Sequence, residues 1–383
     1  MKIAAMRFRL SILFVASLFL WSCTSDSNTE NDPNPELNKI TLLYSNTDDN
    51  LFQYDVLNDG ADQVFTNLTQ ALGVSNNFQL LDCDNDRISF FSLGVNNSSG
   101  MTRFAVYEKR LSNGAITIQD QICDLDASEE WIIPARSDSK FVLFTRDNGF
   151  GNSHSIRILD RSTNECVKKY LFQGSLGISQ RSRLVDGETV YVVYETPGLT
   201  YAIMSIDLAT AEINNQLEFN QFFSATVDEN NLHIFLDDNT HMIYNKGTFE
   251  LLSTGSFPEN LINVNLSYGL FESQIVDGNI YTDLSVALPA PYPFSPGALN
   301  LDSGEIVKGG NNLILDLIAS LEAELGFTIS INGYSANLSD ESVVIHWRNA
   351  DGSTMGLLYS NFEGDILKIV ETDSFIPFKM IIR

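Results

Sequence analysis

The sequence predicts an all-β fold, a seven-bladed β-propeller of four-stranded antiparallel blades, and three observations carry that expectation. One phrase, an apolar strand ending in Asp, Asn or Glu with a second strand a few turn residues later, occurs seven times. Its markers are Asp55, Glu108, Asp160, Asp207, Asn245, Asn300 and Asn361, spaced 38 to 61 residues apart. A second phrase, an acidic turn between two short strands, falls between successive copies of the first, at Asp84, Asp138, Asp186, Asp228, Asp277 and Asp340. Finally, the chain ends on the apolar run "FIPFKMIIR", Phe375 to Arg383, where chain ends are usually polar and frayed. Strict alternation of the two phrases gives each repeat four strands, A to D, at about 50 residues, which is the cadence of a propeller blade. A multi-sheet sandwich would not need seven copies in phase. Asp, Asn and Gly suit both turns because they accept left-handed backbone and hydrogen-bond their own turn.

The N-terminus reads as an export signal. Lys2, Arg7 and Arg9 precede the apolar run Leu10 to Trp21, which is short for a membrane span and long enough for a signal-peptide core. It ends in "LWSC", Leu20 to Cys23, which resembles the lipobox of bacterial lipoproteins. That resemblance implies removal of residues 1–22 and acylation of Cys23, with the outer-membrane lipid as a partner. Residues 23–37 then form a flexible acidic tether, rich in Ser, Thr, Asn and Pro. The propeller occupies 38–383.

The first repeat lacks an A strand, since the tether leads directly into "KITLLYSN", a B strand, followed by "NLFQYD" and "ADQVFTN". The terminal run supplies the missing strand and closes the ring by pairing with Ile40 to Tyr44, hiding a sheet edge. Pro377 is the one residue unsuited to that role.

Short A–B and C–D turns share one face, and long B–C and D–A connections share the other, where binding usually resides. On that face Ser285 to Gly297 ("SVALPAPYPFSPG") puts Tyr292 and Phe294 at a proline-rich tip, as a lid or an exposed contact. Asn311 to Gly326 places Ile314, Leu317, Ile318, Leu321 and Leu325 on one helical stripe stopped by glycine, which predicts a short inserted helix near 313–325. Acidic loops at Asp48 and Asp49, at Asp237 and Asp238, and at Asp147 with His154 offer oxygen ligands for Ca²⁺, without a full ligand spacing. "DCDNDR", Asp82 to Arg87, starts like a calcium loop but lacks the glycine and the distal glutamate, and reads as an A–B turn.

The A strands line a central channel. Phe78, Trp131, Phe222, Phe271 and Tyr334 recur near their upper ends, as packing or as a ligand wall. Arg181 and Arg183, with Glu272 and Gln274, are polar positions at its mouth. Arginines there in an otherwise acidic chain suggest an anionic or polyhydroxyl ligand, and internal ion pairs explain them equally well. The formal charge of −26 argues against nucleic acid as a partner. Of four cysteines, Cys83, Cys123 and Cys166 remain after Cys23, an odd set whose spacing chooses no pairing and matches no zinc site. His154, His233, His241 and His346 are scattered, and no G-x-S-x-G, H-E-x-x-H or phosphate-loop motif occurs.

Lipobox, tether and ring together resemble the propeller lipoproteins of Bacteroidota, some of which sit beside TonB-dependent receptors in siderophore or glycan uptake. The resemblance implies an outer-membrane, lipid-anchored monomer, at the cell surface or the periplasmic face, that binds a small molecule or glycan through its long-loop face or docks on a receptor. A glycoside hydrolase or polysaccharide lyase using channel carboxylates, and a noncatalytic protein-interaction scaffold, are the alternatives.

Overall fold

A computed structural model describes residues 38–383, except 58–59, 61, 75, 77, 79, 85, 95–102, 124–128, 148–152, 177–181, 257–268 and 287–289. The signal segment, Cys23 and the tether lie outside the described residues.

Seven antiparallel sheets succeed one another along Lys39–Arg383 and make a seven-bladed propeller. In blade 1, strands B, C and D are Ile40–Ser45, Leu51–Leu57 and Asp62–Asn67. Strands A to D are Leu80–Cys83, Arg87–Gly94, Arg103–Arg110 and Ile116–Ile122 in blade 2. They are Glu129–Arg136, Lys140–Asp147, Ser153–Asp160 and Cys166–Gln173 in blade 3, and Arg183–Asp186, Thr189–Glu195, Tyr201–Asp207 and Glu212–Phe219 in blade 4. Blade 5 uses Phe223–Val227, Asn231–Leu236, Thr240–Asn245 and Leu251–Ser256; blade 6 uses Gln274–Val276, Asn279–Ser285, Phe294–Asn300 and Ile306–Gly309. Blade 7 uses Ile329–Asn337, Ser342–Asn349, Met355–Asn361 and Ile366–Thr372.

The terminal run is the innermost strand of blade 1. Lys379–Ile382 pairs antiparallel with Ile40 to Leu43, in the register Ile40↔Ile382 and Leu43↔Lys379. Arg383 N donates to Lys39 O at 2.9 Å and Phe378 N to Leu43 O at 2.9 Å. Pro377 precedes the ladder, so its missing N–H breaks no strand bond.

The core lies between blades, and the period-2 alternation of each B and C strand feeds two neighbours at once. In blade 4, Val190, Val192 and Tyr194 pack with Val142, Phe144 and Ile156 of blade 3. Tyr191 and Val193, one residue out of step, pack with Ile234 and Leu236 of blade 5. That is why "TVYVVYE" reads as a continuous apolar run: both of its faces are covered. Between blades 2 and 3 the same interface holds a Cys123–Cys166 disulfide, leaving Cys83 free.

The two turn phrases are visible as hydrogen bonds. In the C–D turns Asp160, Asp207, Asn245 and Asn300 each accept, on a side-chain oxygen, the amides two and three residues on. The residue after each marker donates its amide to the A–B turn of its own blade: Arg161 to Ser139, Leu208 to Glu188, Lys246 to Asn230, Leu301 to Gly278 and Phe362 to Glu341. In blade 2 that donor is Leu111, to Asp86. The blade 2 marker is therefore Arg110 and not Glu108; in blade 1 the C strand likewise runs two residues past Asp55 to Leu57. Both carboxylates lie two residues upstream of their turns and are buried. Glu108 instead takes Arg161 from blade 3 at 2.6 Å, and Asp55 takes Arg383 at 3.6 Å. Glu108 pins blade 2 to blade 3, whereas Asp55 holds the terminal residue within blade 1.

Two helices sit in D–A connections, α1 (Leu68–Leu72) and α2 (Leu313–Leu325). Helix α2 has the predicted bounds and buries Leu313, Ile314, Leu317 and Leu321 against Trp347, Ile345 and Phe362 of blade 7, with Ile318 and Leu325 half-covered. It stops at Gly326, whose φ of 76° suits a residue without Cβ.

Candidate functional site: the central channel

Because A strands are innermost and run from the long-loop face to the short-turn face, residues just before an A strand ring one mouth and residues at its end ring the other. A cavity of about 1070 Å³ occupies this channel, walled by blades 1 to 4 and 6. Its long-loop end is aromatic and apolar: Phe78, Phe271 and Phe378, with Leu80 and Leu270. Phe78 and Phe378 meet across the collar, with ring centroids 6.1 Å apart. The channel narrows on the blade 5 side because Gly269–Leu270 pairs parallel with Ser224 and Ala225 before the chain reaches blade 6.

Deeper in, the wall is ionic. Arg136, the last A-strand residue of blade 3, places Nε 3.2 Å from Asp82 Oδ2 and Nη1 2.9 Å from Asp84 Oδ2. Arg87 pairs with Asp138, whose carboxyl that guanidinium holds below the usual carboxylate range. Glu188 accepts from the hydroxyls of Ser137 and Ser139 at 3.2 and 2.6 Å. Asp283 accepts from Tyr334 Oη at 3.3 Å. Arg183 is less engaged: Arg136 also has a buried Nε without a hydrogen-bond partner, but its Nη1 reaches Asp84. Arg183 Nη2 lies 3.8 Å from Asp82 Oδ1, beyond hydrogen-bond reach, and its buried Nε has no hydrogen-bond partner among the described residues. Burial pulls its pKa down, opposed by the charges of Asp82 and Glu272. Lys379 also lines the cavity, and forms no ion pair among the described residues. Cys83 lines it too, but burial pushes its thiol up to about 12, so it is no nucleophile at neutral pH.

The residues singled out from sequence divide cleanly. Arg183, Glu272, Phe78 and Phe271 line the cavity. Gln274 does not; it pairs with Tyr281 inside blade 6. Tyr292 packs on the α2 cluster, and Phe294 is the first residue of a strand, opposite Ser285, so neither forms an exposed loop tip over the channel. Phe222, just before the blade 5 A strand, is 51% exposed, does not line the cavity, and lies tilted against Tyr201 with ring centroids 4.3 Å apart. Arg181 lies outside the described residues, as does the side chain of Trp131, although its strand position opposite Thr145 is set.

Two of the three acidic loops are turns; the third, between Asp147 and His154, lies largely outside the described residues. Asp49 sits at φ 58° and Asp48 N bonds Asn46 Oδ1; Asp238 Oδ1 accepts Thr240 N at 3.0 Å in the turn beside Asp237. Among the described residues no group of three or more His, Cys, Asp or Glu is placed to hold a metal. His233 and His346 are buried; His233 links Asp228 (2.9 Å) to His241 (3.0 Å) inside blade 5.

Missed from sequence were Arg136, Asp283, Phe378 and Lys379 as channel residues, and Asp82 as more than a turn. The signal was there: Asp82 and Arg136 occupy matching ends of adjacent A strands, so aligning blades by turn would have set them side by side.

No protein-family model matches the chain, and no curated protein does. Among solved structures it is similar to the β-propeller domain of the Trilobed protease from Pyrococcus furiosus, at 14% identity and a TM-score of 0.45, over 89% of this chain and 96% of that one. It is also similar to a 6-phosphogluconolactonase, so named provisionally, from Bacteroides uniformis (9% identity, TM-score 0.47, 91% and 100% covered) and to another from Bacteroides fragilis (8%, 0.43, 92% and 99%). These likenesses assign neither ligand nor reaction.

Proposed function

We propose that the protein is a lipid-anchored, noncatalytic binding protein of the cell envelope, whose ligand enters the long-loop mouth of the propeller and lodges in the central channel. The observation that carries this reading is the cavity itself, of ligand size, with an aromatic collar at one end and convergent charged groups below it. Three of the channel acids are engaged by arginines, Asp82 and Asp84 by Arg136 and Asp138 by Arg87, which supports recognition over carboxylate catalysis at these three. The Cys123–Cys166 disulfide fits export to an oxidising compartment, and acylated Cys23 would supply the anchor. Lys39, whose O accepts from Arg383 N, lies at the short-turn end of the ring, opposite the long-loop mouth.

A second reading, docking on an envelope receptor, draws on the same face. Leu199, Phe222 and Ile376 are 74%, 51% and 52% exposed there.

The test is a thermal-shift screen of the full chain, extracted in detergent, against neutral and acidic oligosaccharides and siderophores, with EDTA as the metal control. A ligand at 100 times its dissociation constant stabilises by about 2.7 kcal/mol, and mass spectrometry should recover it unchanged. Turnover of the ligand would replace this reading with the enzymatic one.

A further inference from the structure

Arg183 makes no hydrogen bond to a wall carboxylate among the described residues, and this points to what the ligand must bring. Of the six carboxylates in the wall, Asp82 and Asp84 face Arg136, Asp138 faces Arg87, Glu188 holds two serine hydroxyls, Asp283 holds Tyr334, and Glu272 acts on Arg183 through its charge. On the cationic side Arg183 keeps a buried Nε–H without an acceptor, and Lys379 is unpaired among the described residues. A buried guanidinium N–H left unsatisfied is costly, so native structures retain one where an acceptor arrives from outside. Arg183 stays charged, and its planar fork matches a carboxylate, which can take two of its N–H groups at once. Above it, Phe78, Phe271 and Phe378 offer ring faces and edges for a flat or ring-shaped body.

We propose that the channel ligand carries a free carboxylate on a ring-shaped body, with the carboxylate held by Arg183 and the ring within the collar of Phe271 and Phe378. This rests on the channel-binding reading above and narrows it to a ligand class. Two sources share this chemistry, the uronic acid of an acidic glycan and an aromatic acid.

The test is isothermal titration of the full chain in detergent with digalacturonic acid and its methyl ester, and with 4-hydroxybenzoate and 4-hydroxybenzamide. Each pair differs only in the carboxylate. One acid should bind, its neutral counterpart should bind at least about 10-fold more weakly, and Arg183→Gln should lose about 10- to 100-fold in affinity for the acid, the range expected for hydrogen bonds to a charged group. Which pair responds identifies the source. The ligand-free Arg183→Gln protein should keep a single cooperative melting transition, so that a loss of affinity reports the lost contact and not unfolding. Asp302→Asn, on an exposed turn, serves as the unaffected control. If acid and neutral forms bind equally and Arg183→Gln changes neither, the carboxylate assignment is wrong and channel binding stands. If Phe378→Ala leaves the binding of every compound unchanged, binding lies outside the channel and both readings fall.

Discussion

The guanidinium of Arg383 lies 3.6 Å from the carboxylate of Asp55, so the last residue of the chain is ion-paired to the first blade. The same side chain donates through Nη1 to Leu111 O at 3.0 Å, in blade 2. The terminal strand thus does two things: it completes one sheet and clips that sheet to the next. Met380, Ile381 and Ile382 behind it are buried. Ile381→Ala should cost about 2–4 kcal/mol, and deletion of residues 379–383 should abolish a single cooperative melting transition. Calorimetry of the truncated and substituted chains checks both.

The disulfide closes a segment of 43 residues across the interface of blades 2 and 3. Its removal in a Cys123→Ser, Cys166→Ser variant should lower stability by about 2–4 kcal/mol. Alkylation of the denatured, unreduced protein should label Cys83 and leave Cys123 and Cys166 untouched, which peptide mass mapping reads directly.

Arg161 and Glu108 form a buried pair between blades 2 and 3, and Arg161 also covers the ring of Phe141 at 4.6 Å. Arg161→Ala strands the Glu108 carboxylate and should cost about 3–5 kcal/mol. Glu108→Gln keeps a hydrogen-bond acceptor and should cost clearly less. Urea denaturation of the two variants ranks them.

The ring, its seven-fold count, its closing strand and helix α2 were legible in the sequence because each rests on short-range periodicity: turn chemistry at fixed offsets, and apolar residues at period 2 or on a helical stripe. The exceptions show where local pattern stops. Glu108 and Asp55 match the turn phrase in type and spacing, yet serve as ion-pair partners, Glu108 across blades and Asp55 to Arg383 of its own blade, because which residue caps a turn depends on the backbone bond to the opposite turn. The channel was read half correctly for the same reason. Arg183 and Glu272 stand out as polar residues in inner strands, whereas Arg136 and Lys379 acquire meaning only once adjacent blades are set at matching heights. The cysteine pairing joins two blades across an interface, and no spacing along the chain encodes that.

Two histidines make stability depend on pH. Burial, with His233 beside one and Arg348 beside the other, lowers His241 and His346 from 6.5 to about 4. Between those values the unfolded chain binds more protons than the folded one. Stability is therefore full above about pH 6.5 and falls as pH drops toward 4, by on the order of 3 kcal/mol for each group. His346→Gln retains a partner for Asn332, which now bonds His346 Nδ1 at 2.8 Å, and should remove that residue's share of the slope. Denaturation midpoints from pH 7.5 to 4.5 give the measurement.

The central claim is that the channel is the binding site, and a crystal structure of the full chain grown with digalacturonic acid or 4-hydroxybenzoate, whichever titrates, tests it most directly. The account predicts density for the ligand below Phe271 and Phe378, with its carboxylate in hydrogen-bond contact with Arg183. Ligand density on the outer strands or the rim, with only water between Arg183 and the aromatic collar, would contradict it.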